Sequence, residues 1–324
     1  MSTCVAAEQL EVVTMGRVSV DLYPEQVGVS LAEVRTFAKS LGGSATNVAV
    51  AAARLGRRAA VITKVGDDGF GAYVRTALSG FGVDTRWVGT DPELRTPIVF
   101  CELHPPNHFP LLFYRQPKAP DMNLRAEELD LEAIAAVPLF WTTGTGLSDE
   151  PSRSATLTAL RRRGRRPHTV FDCDWRPMLW AAPEEGRRWA QEAIAQATAV
   201  VGNREEMEMA TGLGDPEAAA DWLLEQGVSL AIVKLGPEGV FAATPGERSK
   251  VPPIPVRVLC GLGAGDAFGG ALCHGLLAGW PLRRTIAFAN AAGAIVASQL
   301  ACADAMPGPA QIEAVLQGGE VPCA

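Results

Sequence analysis

Cys260-Gly261-Leu262-Gly263-Ala264-Gly265-Asp266-Ala267-Phe268-Gly269-Gly270 is the stretch from which the fold is read. Glycines at 261, 263 and 265 let the backbone take positive φ and approach a ligand closely. An apolar run through Ala271, Leu272, Leu276 and Leu277 follows and predicts a buried helix. A glycine-rich turn feeding a helix start presents unpaired N–H groups at the positive end of the helix dipole. Such a turn binds anions, phosphate above all. A carboxylate there, Asp266, repels a resting phosphate. It makes sense if it takes a proton from a hydroxyl attacking the phosphorus. The same residues also suit a plain connector with a favourable acidic charge in the first helical turn. No Gly-Lys-Ser/Thr follows, so this is not a Walker loop. Its place near the C-terminus separates it from the dinucleotide fingerprint, which follows a first strand.

Gly261-Leu262-Gly263-Ala264-Gly265-Asp266-Ala267-Phe268 resembles the C-terminal signature of the ribokinase-like (PfkB-type) carbohydrate kinases. The resemblance implies that Asp266 is the catalytic base and that the amides of Gly263, Ala264 and Gly265 form the anion hole. It implies a three-layer α/β/α fold with a mostly parallel sheet and a small β-sheet lid. The lid is expected from about residues 17–34 and 86–116, within a single domain over residues 1–324.

Motifs elsewhere follow the family's order. Leu10 to Met15 reads as a central strand, with Asp21 expected just past a strand end. A turn Asp is the plain reading; the resemblance makes Asp21 a ligand of substrate hydroxyls. Gly42-Gly43-Ser44-Ala45-Thr46-Asn47 opens a second Ala-rich helix, a plausible cap by itself. It is similar to the family's N-terminal signature, in which Gly42, Gly43 and Asn47 grip substrate. Asp67-Asp68-Gly69 reads as a turn plus helix start. Short β-rich runs from Trp87 to Tyr114 are broken by Pro105-Pro106-Asn107. Arg115 closes this segment, either reaching an acidic substrate or solvated at the surface.

The segment 161–166 holds five arginines in six residues. It reads as the basic C-terminal end of a helix rather than a nucleic-acid patch. Asp172, Asp174 and Arg176 follow a strand. The resemblance puts them near sugar and transferred phosphate, where Arg176 stabilises transition-state charge. Asn203 and Glu206 span one helical turn, which is good capping chemistry. In the family that pair orients Mg2+ largely through water. Lys234, Gly236, Gly261 and Asn290 are implied to border ATP, and residues 302–307 to help hold K+. Many relatives carry Asp or Asn where this chain has Cys260.

Composition is ordinary for a globular protein with a substantial core. The chain has 324 residues, 48% hydrophobic and 20% charged, with net charge −7. That balance excludes nucleic acid and anionic membranes as general partners. Seven cysteines without a C-x-x-C pair predict reduced, mostly buried thiols in a cytoplasmic protein. The resemblance narrows to family members that take a sugar acid. Arg17, Arg115 and Lys118 are the cations expected to welcome that anion. A kinase of another sugar acid, 2-dehydro-3-deoxygluconate, a fructokinase-type sugar kinase and a non-catalytic sugar-binding regulatory relative stand as alternatives. Homodimer formation through the lid sheet is a further expectation.

Overall fold

Successive residues along the strands of the larger sheet pack to opposite sides. Val12, Leu139, Trp141, Val170, Val201 and Ile232 belong to one buried cluster. Val13, Phe140, Phe171, Val200, Ala231 and Val233 belong to another. A sheet buried on both faces needs a cover of helices on each. Helices Ser44–Arg54, Gly69–Gly80, Ala264–Leu277 and Leu282–Ala297 supply the first layer. Helices Ser152–Arg163, Pro183–Ile194, Arg204–Thr211 and Pro216–Glu225 supply the second. The result is the expected three-layer α/β/α fold, seen in a computed structural model that describes residues 9–106 and 108–322. Asn107 and the terminal residues 1–8 and 323–324, part of the expected domain, lie outside the described residues.

Among these residues the larger sheet has nine strands. Their order is Arg248–Val251, Val240–Ala243, Leu230–Lys234, Ala199–Asn203, Thr169–Asp172, Leu139–Thr143, Val12–Met15, Ala59–Gly66 and Val88–Asp91. All neighbours are parallel except the two antiparallel pairings made by Val240–Ala243. The chain winds outward in both directions from Val12–Met15. The switch point therefore lies between that strand and Leu139–Thr143, where open α/β sheets bind ligands.

A second sheet has the order Phe37–Gly42, Ser19–Pro24, Ile98–Cys101, Leu111–Tyr114. Two expectations change here. The sheet includes Phe37–Gly42, beyond the anticipated 17–34. Val88–Asp91 leaves it and pairs with Thr63–Gly66 at the edge of the larger sheet. A third cluster of Tyr23, Cys101, Leu103, Cys260 and Cys302 ties the small sheet to the segment before Ala264–Leu277.

Local chemistry sets the helix ends. Asp68 accepts from the amides of Phe70 and Gly71 and starts Gly69–Gly80. Ser152–Arg163 ends at Gly164 in the left-handed conformation. Arg163 is buried and donates to the carbonyls of Ile134, Ala135 and Val137. At least this member of the arginine run is structural. The cysteines at 101, 173, 260, 273 and 302 are buried and unpaired.

Candidate active site

Helices Ser44–Arg54 and Ala264–Leu277 pack directly on one another because their facing residues are small. A Cβ on Gly270 would lie 2.3 Å from Ala51 Cβ. This close approach brings their first turns together. Asn47 Nδ2 donates to Asp266 Oδ2 at 2.8 Å. Burial pushes the Asp266 carboxyl up to about 6. The Asn47 hydrogen bond, Arg17 and Arg176 oppose that rise, while Asp174 adds to it. A carboxylate near 6 is ionised at neutral pH and still basic enough to accept a hydroxyl proton.

Gly263 caps the helix at φ 80°, a conformation that suits glycine. Its carbonyl accepts from Ala267 N–H, the first bond of the helix. The N–H groups of the first turn, at Ala264 and Gly265, therefore start the helix without intrahelical partners. A Cβ on Gly263 would sit 2.6 Å from Cys302 Sγ. The turn is thus pressed against Cys302. Cys302 also meets the Tyr23 hydroxyl at 2.7 Å.

Asp21 lies within the strand Ser19–Pro24 of the small sheet, not past a strand end. Its carboxylate rests against Gly42: a Cβ there would fall 2.0 Å from Asp21 Oδ1. Ser19 Oγ donates to the same oxygen at 2.6 Å. Burial raises the Asp21 carboxyl above its ordinary value, against the pull of Ser19, Arg17 and Arg115.

Asp174 joins several elements of the site. It accepts from Ser44 Oγ at 2.6 Å and Thr145 Oγ1 at 3.0 Å. Arg176 Nη2 is 2.9 Å from one of its oxygens and Arg17 Nε is 3.5 Å from the other. Burial works against this charge. Arg176, Arg17 and the two hydroxyls outweigh it, and Asp174 is held below its usual range. Asp174 also takes a positive φ of 33°, uncommon for a residue other than glycine. Sequence reading placed Asp174 beside Arg176 but missed Ser44 and Thr145, whose only signal is a hydroxyl beside glycines.

Asp172 is buried, and burial pushes it up to about 8 despite the nearby Lys234. Burial would lower Lys234, yet Asp172, Glu206 and Asp266 hold it above its ordinary value. A Cβ on Gly265 would be 3.3 Å from Lys234 Nζ, so this ammonium stands over the glycine turn. Asn203 and Glu206 form a reciprocal cap: Asn203 N–H donates to Glu206 Oε2 at 2.6 Å, and Glu206 N–H donates to Asn203 Oδ1 at 2.9 Å. Glu206 Oε1 is 3.7 Å from Arg176 Nη1. Among the described residues no group of three or more His, Cys, Asp or Glu could hold a metal directly. Asp174, Glu206, Asp266 and the Asn203 side chain nonetheless supply oxygen atoms in this part of the site. That donor set fits a hydrated divalent cation held through water.

Gly236 and Gly261 are exposed. Asn290 is half-buried and donates to the carbonyl of Pro252 at 2.9 Å. Arg115 is neither solvated nor free. It is buried, donates to Asp121 Oδ1 at 2.5 Å and to Val18 O at 3.3 Å. Lys118 pairs with Asp149 at 2.9 Å. A cavity of about 610 Å³ lined by Pro253, Arg257, Val315 and Val321 contains none of the site residues.

A family model described as pfkB family carbohydrate kinase matches residues 9–308. A Photobacterium profundum protein named 5-dehydro-2-deoxygluconokinase is 36% identical over 308 residues, 92% of each chain. One of the same name from Halalkalibacterium halodurans is 33% identical over 318 residues, 96% of each chain. A solved putative ribokinase II from E. coli, in its apo form, superposes with TM-score 0.88 at 25% identity over 95% of this chain and 99% of that one. A Vibrio cholerae O395 fructokinase double mutant, bound to fructose, ADP and potassium ion, gives TM-score 0.83 at 28% identity over 94% and 98%. The chain therefore belongs to the pfkB family of carbohydrate kinases and is a sugar kinase.

Proposed function

We propose that this chain transfers the terminal phosphoryl group of ATP to a hydroxyl of 5-dehydro-2-deoxygluconate, a step of inositol catabolism. For the chemistry, the carrying observation is the 2.8 Å pairing of Asn47 with Asp266. For the substrate, support comes from relatives of that name at 33–36% identity over more than nine-tenths of both chains. The sugar acid lies against Asp21, Gly42, Gly43 and Asn47, with Asp172 nearby. Asp266 takes the proton of the attacking hydroxyl. The amides of Gly263, Ala264 and Gly265 receive the phosphoryl oxygens, and Arg176 counters the charge that develops on them. Lys234, Gly236, Gly261 and Asn290 border the nucleotide. Bound Mg2+ supplies charge neutralisation on the phosphates, and Asn203 and Glu206 would orient its waters. A K+ ion would sit beside residues 302–307, where Cys260 packs with Tyr23, Cys101 and Cys302 and offers a thiol rather than an oxygen. The small sheet acts as a lid that keeps water from competing for the phosphoryl group. Its Leu112 and Tyr114 are exposed and suit pairing with a second copy.

The test is a substrate panel with ATP: 5-dehydro-2-deoxygluconate, 2-dehydro-3-deoxygluconate, fructose and ribose. The expected kcat/KM is highest for the first by at least about tenfold. Preference for a neutral sugar overturns the substrate. Binding without turnover of any of the four would favour the non-catalytic reading.

A further inference from the structure

We propose that Arg17 is the specificity residue that receives the substrate's carboxylate. This rests on the sugar-acid reading above and adds to it the group that recognises the acid. The sequence suggests three cations for the acid: Arg17, Arg115 and Lys118. Arg115 is committed to Asp121 and Val18 O. Lys118 is committed to Asp149 and to the carbonyl of Glu150. Arg17 remains. Its side chain is 8% exposed, yet among the described residues its Nε has no hydrogen-bond partner. Its ion pair to Asp174, at 3.5 Å, is long, and Arg176 holds that carboxylate at 2.9 Å.

A buried guanidinium with an unanswered N–H carries a desolvation cost that a matching acceptor removes. The position fits such an acceptor. Arg17 follows the central strand Val12–Met15 at the switch point. Its guanidinium carbon lies 5.9 Å from the ring centre of Phe113 on the small sheet. Its charge also acts on Asp21 and on Asp266. The guanidinium thus lies near Phe113 of the small sheet, close enough to Asp21 and Asp266 for its charge to act on both. A planar fork of N–H donors matches a carboxylate and discriminates against a neutral group at that carbon.

The experiment crosses two changes. Wild type and Arg17→Gln are assayed with 5-dehydro-2-deoxygluconate and with its uncharged 1-carboxamide. Wild type is expected to prefer the acid by about 30- to 100-fold, and Arg17→Gln to reduce that preference to within about threefold. The KM for ATP should stay within about twofold of wild type, reporting an intact cleft. Arg17→Lys keeps the charge without the fork, and is expected to retain part of the preference. It also keeps the test open should the Gln variant fail to fold. Lys118→Met is the control and should discriminate as wild type does. If Arg17→Gln weakens acid and carboxamide equally, Arg17 does not read the carboxylate; if Arg17→Lys discriminates as wild type does, the planar fork plays no part in the recognition; either result leaves the substrate assignment standing. If wild type favours a neutral sugar, the substrate assignment falls and this role falls with it.

Discussion

The Asn47 amide donates to the Asp266 carboxylate at 2.8 Å across 219 residues of sequence. Each residue sits in the first turn of its own helix, and the two helices touch through Gly270 and Ala51. The candidate base is therefore oriented by the element that carries the sugar signature. Asp266→Asn keeps the shape and removes the proton acceptor. Its kcat is expected to fall by about 10²–10⁴-fold with the sugar KM within about threefold. Steady-state kinetics check this; full activity would remove Asp266 from the mechanism.

Burial places the Asp266 carboxyl at about 6. The base is ionised above that value and protonated below it, so kcat/KM should fall as pH drops through about 6. The Asn47 hydrogen bond favours the charged form. Asn47→Ala is therefore expected to move this acidic limb to higher pH. A pH profile of the two proteins gives the answer, and a limb that stays in place or moves down would contradict it.

The same shift has a stability consequence with a definite sign. The folded value of Asp266 lies above its ordinary 3.8, so the ionised carboxylate disfavours the fold. The penalty is absent below about pH 3.8, grows through the interval up to 6, and is complete above it. Asp266→Asn should raise stability at pH 7.5 by about 1–3 kcal/mol, or Tm by about 1–5 °C. The gain should shrink towards pH 4. Thermal melts at both pH values measure it, and a destabilised variant at pH 7.5 would refute the sign.

The pieces legible in the sequence were those whose chemistry is local. The Gly42-Gly43 and Gly263 to Gly265 helix starts, the Asp68 cap and the Asn203–Glu206 cap each declare themselves within a few residues. Long-range partners did not. Arg115 reads as a free cation until the fold brings Asp121 to it, in a buried pair whose other oxygen accepts from Val18 N–H. Asp174 depends on Ser44, which lies 130 residues away. The β-rich character of residues 88–114 is equally good for either sheet. Pairing alone sends Val88–Asp91 to one and Ile98–Cys101 to the other.

Gly42 tests the sugar side of the site. Its missing Cβ is where the Asp21 carboxylate rests, with Asp21 Cγ 2.1 Å from the position a methyl would take. Gly42→Ala should force Asp21 to another rotamer while the surrounding strand pairing holds. The expected result is a sugar KM raised by about tenfold or more, with the KM for ATP little changed. Equal losses for sugar and ATP would mean that the substitution disturbs the whole cleft instead.

Glu206 separates capping from metal binding. One of its oxygens accepts from Asn203 N–H, and its own N–H donates to Asn203. Glu206→Gln retains an oxygen for the first bond and leaves the second untouched, so the helix Arg204–Thr211 should keep its cap. Tm is expected within about 2 °C of wild type. What the variant loses is one negative charge beside Arg176 and Lys234. If that charge orients the hydration shell of Mg2+, the metal concentration for half-maximal rate should rise about 5- to 10-fold, with the sugar KM unchanged. Titration of Mg2+ at saturating ATP distinguishes the two roles. An unchanged Mg2+ requirement would assign Glu206 to the cap alone.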